Sequence, residues 1–208
     1  MGAAAGAVAM AAKPATYDII SGKNPRGIPK GKFVDDVAAF IKASGAGKVD
    51  PILAELQELF SKYKYYEMNL LRKKGTLQNK LPEIKKSLEM VNYLIAQRAA
   101  GSNISTNFPL SDNVYAKANI NCADGDQAGQ VCLWLGAKVM MQYSYEEALE
   151  LLTNNLSGAS SKLAEVNEDL VCVRENIILT EVNIARIFNW DVKRRRALKA
   201  AGGGGDSK

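Results

Sequence analysis

Histidine is absent from all 208 residues. That removes imidazole general bases, Ser–His and Cys–His nucleophile systems and histidine metal ligands together. Cysteine is scarce: Cys122, Cys132 and Cys172 are an odd number with no CxxC spacing. A zinc site is therefore not expected, and a reduced cytosolic or nuclear compartment is the simplest setting. Long apolar runs are missing too, with no stretch of about 18 apolar residues to span a bilayer as a helix. There is no phosphate-cradling Gly-rich loop and no cluster of carboxylates, so an enzyme reading has no support and no cofactor or metal is expected. The opening MGAAAGAVAMAA is small and apolar but lacks the basic and Leu-rich regions of a signal peptide. Residues 1–26 read as a disordered leader.

Excess charge is nearly missing from the body of the chain. The formal net charge is +5, yet residues 191–208 alone hold six Lys and Arg against two Asp, a net +4. A nucleic-acid-binding body is not implied. The basic run KRRR (193–196) reads equally as a solvated helix end complementing the macrodipole and as a docking tail, nuclear signal or nucleic-acid contact.

What is present in quantity is a heptad pattern, in two runs of nearly equal length. The first places Leu53, Leu56, Phe60, Tyr63, Leu70, Leu77, Leu81, Ile84, Leu88, Val91 and Ile95 at alternating spacings of three and four, broken only by Glu67 and Lys74. The second places Leu149, Leu152, Leu156, Ala159, Leu163, Val166, Leu170, Val173, Ile177, Ile184 and Ile187, with Thr180 the one polar member. A 3.5-residue apolar period belongs to a supercoiled helix pair. Equal lengths and a connector able to double back predict an antiparallel pair within one chain, each arm reaching roughly 65–70 Å. Facing residue numbers should then sum to about 243, which brings Lys74 near Asp169. Glu67 and Lys74 read as devices that fix register. Tyr63 belongs to the seam, and Tyr65 and Tyr66 read as its flank more than as a binding patch.

Around these runs the chain divides further. Residues 27–48 hold a short amphipathic helix, with Phe33, Val37, Phe40 and Ile41 on one stripe. GIP (27–29) should stop structure arriving from upstream. Asp50 followed by Pro51 starts the first long helix as N-cap and first helical residue, and Gly101 ends it (49–101). Pro82 lies inside, but the heptad phase passes through it without a slip, which predicts a kinked, continuous helix. Residues 102–144 change period. Val114, Ala116, Ala118 and Ile120 alternate with polar residues as a strand; DGDQAG (124–129) is a loop; VCLWL (131–135) is apolar on both faces and should be a central, buried strand; VMMQY (139–143) is a further strand. Ser144 with Glu147 forms a capping box that starts the second helix, 145–190, and 191–208 is a basic, flexible tail. Asn155-Leu-Ser matches a glycosylation sequon, but it falls within a helix of a reduced-compartment chain and is set aside.

The strands call for partners. Short strands with apolar faces cannot bury them against two helices already seamed together, and their open edges would aggregate. Residues Val114, Tyr115, Val131, Leu133, Trp134, Leu135, Val139, Met140 and Tyr143 are the expected subunit-assembly surface. The far ends of the helices gather Ile28, Phe33, Val34, Phe40, Ile184, Ile187, Phe188 and Trp190, where no third element covers a two-helix seam; these are the candidate binding residues of the arm tip. Phe40 and Ile41 could alternatively fold back over that patch.

The strings GIPKGKFVDDV (27–37), KYKYYEMNL (62–70), LPEIKKSLE (81–89), VCLWLGAKVM (131–140), QYSYEEA (142–148) and NWDVKRR (189–195) resemble the prefoldin family, in its two-hairpin α-class, from about Pro25 to Arg195. Gln142, the longer loop at 121–130 and the Ala/Gly leader depart from its pattern; none touches the architecture. The resemblance implies a mainly α fold with a small β segment: a long antiparallel coiled-coil hairpin joined by two β-hairpins that complete an inter-subunit β-barrel. It implies a cytosolic, and also nuclear, heterohexamer with a second α-class and four β-class chains. Its arm tips would hold unfolded actin and tubulin and pass them to the cytosolic group II chaperonin without ATP, and the von Hippel–Lindau protein joins the implied partners. Two other function classes compete. A static coiled-coil tether needs no strands; a zipper-type nucleic-acid binder places its basic run before the heptads, not after them.

The heptad phase is directly testable. Leu163→Asp should split the seam and lower the melting temperature followed by circular dichroism. Lys162→Asp, on the outer surface, should shift stability by no more than about 0.5 kcal/mol; equal losses would mean a wrong phase.

Overall fold

The computed structural model describes residues 17–45, 49–121 and 129–202. In chain order these form β1 (Ile20–Lys23), β2 (Pro29–Gly31), α1 (Val37–Ala43), α2 (Asp50–Ala99), β3 (Ile104–Ser111), β4 (Val114–Ile120), β5 (Gln130–Gly136), β6 (Val139–Ser144) and α3 (Tyr145–Gly202). The architecture is thus two long helices and three two-stranded antiparallel sheets, β1–β2, β3–β4 and β5–β6. The chain divides into two compact units. One takes the chain up to Arg72 and from Asn167 onward; the other is Lys73–Val166.

In both units the predicted heptad residues are buried or half-buried without exception. The antiparallel register also holds in both. In the first unit the Arg174 guanidinium donates to Glu67 at 3.2 Å, and Arg195 reaches Asp50 at 3.4 Å. In the second, Val91 shares a cluster with Ala148 and Leu152, and Arg98 lies 5.8 Å over the Tyr145 ring. The facing numbers sum to about 243, as a pair of a/d stripes aligned in this register requires. Glu67 therefore does tie the two helices together. Asp169 accepts from Asn24 and Arg26 within the first unit.

α2 runs continuously through Pro82. Seam packing on both sides offsets the single lost backbone bond. Its start differs from expectation: Asp50 is already helical, and the Val49 carbonyl accepts from the Leu53 amide at 3.1 Å. Gly101, at φ 63°, ends it in the left-handed conformation that glycine adopts without penalty. The capping box at the start of α3 is present in both directions. The Glu147 amide donates to Ser144 Oγ at 3.2 Å, and the Ser144 amide donates to Glu147 Oε2 at 3.1 Å.

Two sequence expectations need correction. First, the leader does not extend to residue 26. Residues 1–16 lie outside the described residues, but Ile20–Lys23 pair with Pro29–Gly31. The string Asn24-Pro25-Arg26-Gly27 carries the turn: Asn24 Oδ1 accepts from the Arg26 amide at 3.0 Å, and the Gly27 amide donates to the Asn24 carbonyl at 2.9 Å. Gly27 is the corner of a hairpin instead of a stop. Second, α3 does not end at Trp190 but continues to Gly202. Ala, Leu, Lys and Arg dominate that stretch and favour helix, and Asp191 holds Arg195 one turn on at 2.6 Å. Only 203–208 of the expected flexible tail lies outside the described residues. Within the chain β5 pairs with β6, and the turn between them places Ala137 and Lys138 at φ 49° and 61°, the positive values of a two-residue hairpin turn. The expected loop at 124–129 falls largely outside the described residues.

The capping box gives a pH signature. Hydrogen bonds from the Ser144 amide and then its hydroxyl favour the Glu147 carboxylate and hold its pKa below the usual 4.5. A depressed folded-state pKa contributes stability above the unfolded value that is lost as pH falls through the folded one. The gap in melting temperature between the native chain and Glu147→Ala should therefore be full at neutral pH and close below 4.5. A gap unchanged across that range in a pH-resolved melting series would contradict the box's ionic character.

Candidate functional site

The hairpins of the second unit carry the first candidate surface. β5 alternates as a strand should: Val131 and Leu133 point at the chain's own helices and pack, with Tyr143, on the cluster of Val91, Ala148 and Leu152. The other side of the hairpin is bare. Trp134 is 63% exposed and pairs in register with Met140, itself 57% exposed. Leu135, Val139 and Met141 are exposed as well, Met141 on the same face as its pair partner Leu133 but beyond the cluster. On β3–β4, Val114 and Tyr115 are exposed. Six of the nine predicted assembly residues thus face outward, while Val131, Leu133 and Tyr143 serve the intrachain junction. Sequence reasoning missed Phe108 and Leu110 on β3 and Met141 on β6, all exposed. The alternation of Phe108 and Leu110 with Asn107 and Pro109 was the available signal, but Pro109 argued against a strand. Exposed apolar side chains on open-edged strands are the kind of surface that marks interaction sites.

The second candidate lies in the first unit, where the seam is not left bare. Residues 19–41, here called the strap, lie against α3 as a third element. The strap is bound through a ladder of polar side chains spaced seven apart on α3: Asp169, Asn176 and Asn183. Asn24 Nδ2 and Arg26 Nε donate to Asp169 at 2.8 and 2.7 Å. The Gly31 amide donates to Asn176 Oδ1 at 2.6 Å. The Val34 amide donates to Asn183 Oδ1 at 3.1 Å, while Asn183 Nδ2 donates to the Lys32 carbonyl at 2.8 Å. Arg186 reaches the Asp35 carbonyl at 2.6 Å. From α2, the Tyr63 hydroxyl donates to the Pro29 carbonyl at 3.0 Å; burial pushes this phenol well above its ordinary pKa.

Gly31 permits this approach. A Cβ at that position would sit 3.0 Å from Leu179 Cδ2 and 3.4 Å from Asn176 Oδ1. Around the ladder, Ile19, Ile28, Val34, Val37 and Ile41 are buried, as are Ile52 and Leu59, a second stripe on α2 beside the seam. Thr180, the polar member of the heptad run, donates to the Asn176 carbonyl at 2.7 Å and so leaves no unmet hydroxyl.

The predicted tip residues therefore separate. Ile28, Val34 and Ile187 are buried; Phe40, Ile184 and Trp190 are half-buried. Phe33 and Phe188 remain 42% and 56% exposed, with the Arg186 guanidinium 4.8 Å over the Phe33 ring. The expectation that nothing covers the seam is corrected by the strap. An exposed apolar row on α3, Val171, Ile178 and Val182, was not anticipated. Two asparagines and an aspartate at heptad spacing beside an apolar stripe were the legible sign of a third element, since buried amides there demand partners.

Comparison with known proteins identifies the family. A family model described as "Prefoldin subunit" matches residues 63–190. The chain belongs to the prefoldin family. It is 44% identical to prefoldin subunit 3 of Mus musculus over 169 residues, covering 81% of this chain and 84% of that one. The Homo sapiens protein of the same name is equally similar, with 83% of its length covered. Prefoldin subunit 3 of Saccharomyces cerevisiae is 36% identical, covering 86% of this chain and 91% of its own. A filamentous prefoldin from Methanocaldococcus jannaschii aligns at a TM-score of 0.44 with 14% identity, over 56% of this chain and 90% of that one. In this prefoldin subunit the hairpins and the strapped helices are the two surfaces with chemistry to offer.

The division of β5 yields a test. Trp134→Asp should block assembly with partner prefoldin subunits while leaving the chain's own melting curve in place. Leu133→Asp should lower both, because a charge would enter the cluster on Val91, at a cost of several kcal/mol. Size exclusion with co-expressed partners, beside circular dichroism of the free chain, separates the two. Normal assembly of the Trp134 variant would remove that face from the interface.

Proposed function

We propose that this chain is the α-class arm of a heterohexameric prefoldin that captures unfolded proteins without ATP. In that complex its hairpins would join a second α-class and four β-class subunits in a closed β-structure that removes the open strand edges. The observation that carries the reading is the pairing of a bare apolar hairpin face with a helix pair that keeps Phe33 and Phe188 exposed. The first suits permanent association; the second suits weak, non-directional contact with many chains, strengthened when several arms act together.

The clients in this reading are actin and tubulin, released to the cytosolic group II chaperonin, with the von Hippel–Lindau protein as a further partner. Similarity to prefoldin subunit 3 over most of the chain supports these assignments. The work would take place in the cytosol, and in the nucleus where the basic end of α3 serves as a signal. The helical run Lys193–Lys199 presents cations on the outside of α3 for an acidic surface, such as that of a chaperonin.

Exchanging Phe33 and Phe188 together for Ser should leave the hexamer intact by native mass spectrometry and reduce its suppression of aggregation of chemically unfolded actin. Undiminished suppression would place capture elsewhere in the complex. A hexamer that suppresses no aggregation even with the native chain would favour a static scaffold.

A further inference from the structure

The two asparagines of the ladder recognise main chain, not side chains. Asn176 accepts from the amide of Gly31, Asn183 accepts from the amide of Val34 and donates to the carbonyl of Lys32, and Tyr63 donates to the carbonyl of Pro29. All of these contacts are made to main-chain atoms, so any extended polypeptide with a glycine at the point of closest approach could make them. The side chains beneath the strap are apolar at Val34 and Ile28, with glycine at the point of closest approach. Next to the strap an open groove runs along α3, lined by Val171, Cys172, Leu179, Lys30 and the carboxylates Glu168 and Glu175; Ile178 and Val182 are exposed on the same helix. The strap's own anchors are different in kind. Asn24 and Arg26 bind Asp169 and Glu168 through their side chains, contacts that belong to this segment alone.

We propose that residues 28–34 occupy, as a built-in stand-in, a groove on α2 and α3 that binds the main chain of an extended, unfolded polypeptide carrying apolar residues. The proposal rests on the capture reading above and specifies its site. The Asp169 anchor holds the strap in place, and the Asn176–Asn183 ladder and Tyr63 form the part it shares with a client. Strap and client then compete, and the apparent affinity for client is the intrinsic affinity scaled by the fraction of arms whose strap is open. A side-chain anchor outside the shared ladder gives the cover a preference for its own groove without altering what the groove can accept.

The test uses the complete hexamer and alkylated lactalbumin, which stays unfolded in native buffer. Two variants release the strap from its own side: Asn24→Ala with Arg26→Ala, and Gly31→Val, which forces the strap off Leu179. A third, Asn176→Leu with Asn183→Leu, removes the ladder. Trypsin cleavage after Lys30 and Lys32 reports opening of the strap in all three. In the first two, affinity for lactalbumin should rise by the same factor as the open fraction. In the third, cleavage should speed up equally and affinity should not rise. Unchanged or weaker binding in both strap-side variants would overturn the proposal, as would a gain in the ladder variant equal to theirs. Absence of lactalbumin binding by the native hexamer under conditions where the strap-side variants bind would support it. Absence in every form would instead remove the capture reading on which it rests.

Discussion

The antiparallel a/d seam between α2 and α3 is the interaction on which everything else depends. It fixes which residues of the two helices face each other, and so where the hairpins leave the helices and which side of α3 remains for the strap. Its two units show what a two-helix seam can and cannot do. In the second unit Leu77, Leu81, Ile84 and Leu88 are only half-buried, because two helices cover each other along a single stripe. In the first, Leu56, Tyr63, Leu170, Val173 and Ile177 are fully buried, because a third element completes the wall.

That third element explains the polar side chains within the arm. A buried Asn or Asp costs more than it returns unless each donor and acceptor is met. Here Asp169, Asn176 and Asn183 meet theirs through the strap, and Thr180 meets its own within α3. The same residues therefore set the strap's register, since sliding it would leave amides without acceptors. Conformational order in residues 19–41 comes from these bonds and a handful of buried aliphatics, set against the freedom a strap of that length gives up.

Most of the fold was legible in the chain. The heptads located both helices and their register, the Ser144–Glu147 box marked the start of α3 to the residue, the period-two alternation located β4, and the run VMMQY located β6. What was missed was missed for local reasons. Gly and Pro around Asn24 looked like the end of a leader, yet Asn-Pro-x-Gly is also a turn, and only packing against α3 decides between them. The run KRRR suggested a flexible tail because charge outweighed helix propensity in that reading. VCLWL looked buried on both faces, and a single chain buries one; the remaining face, Trp134 above all, stays exposed on this chain. The site was only half legible. Phe33 and Phe188 are exposed as expected, whereas Ile28, Val34 and Ile187 lie beneath or within the strap.

The central claim is a division of labour: the hairpins of the second unit assemble and the strapped helices of the first unit capture. Amide hydrogen exchange measured on the free chain, on the hexamer and on the hexamer with unfolded client tests it most directly. Assembly should protect residues 104–120 and 130–144 and leave 28–34 as it was. Client should then change exchange at 28–34 and along 171–188, with nothing further in the hairpins. Client protection centred on the hairpins, or assembly that leaves them unprotected, would contradict the account.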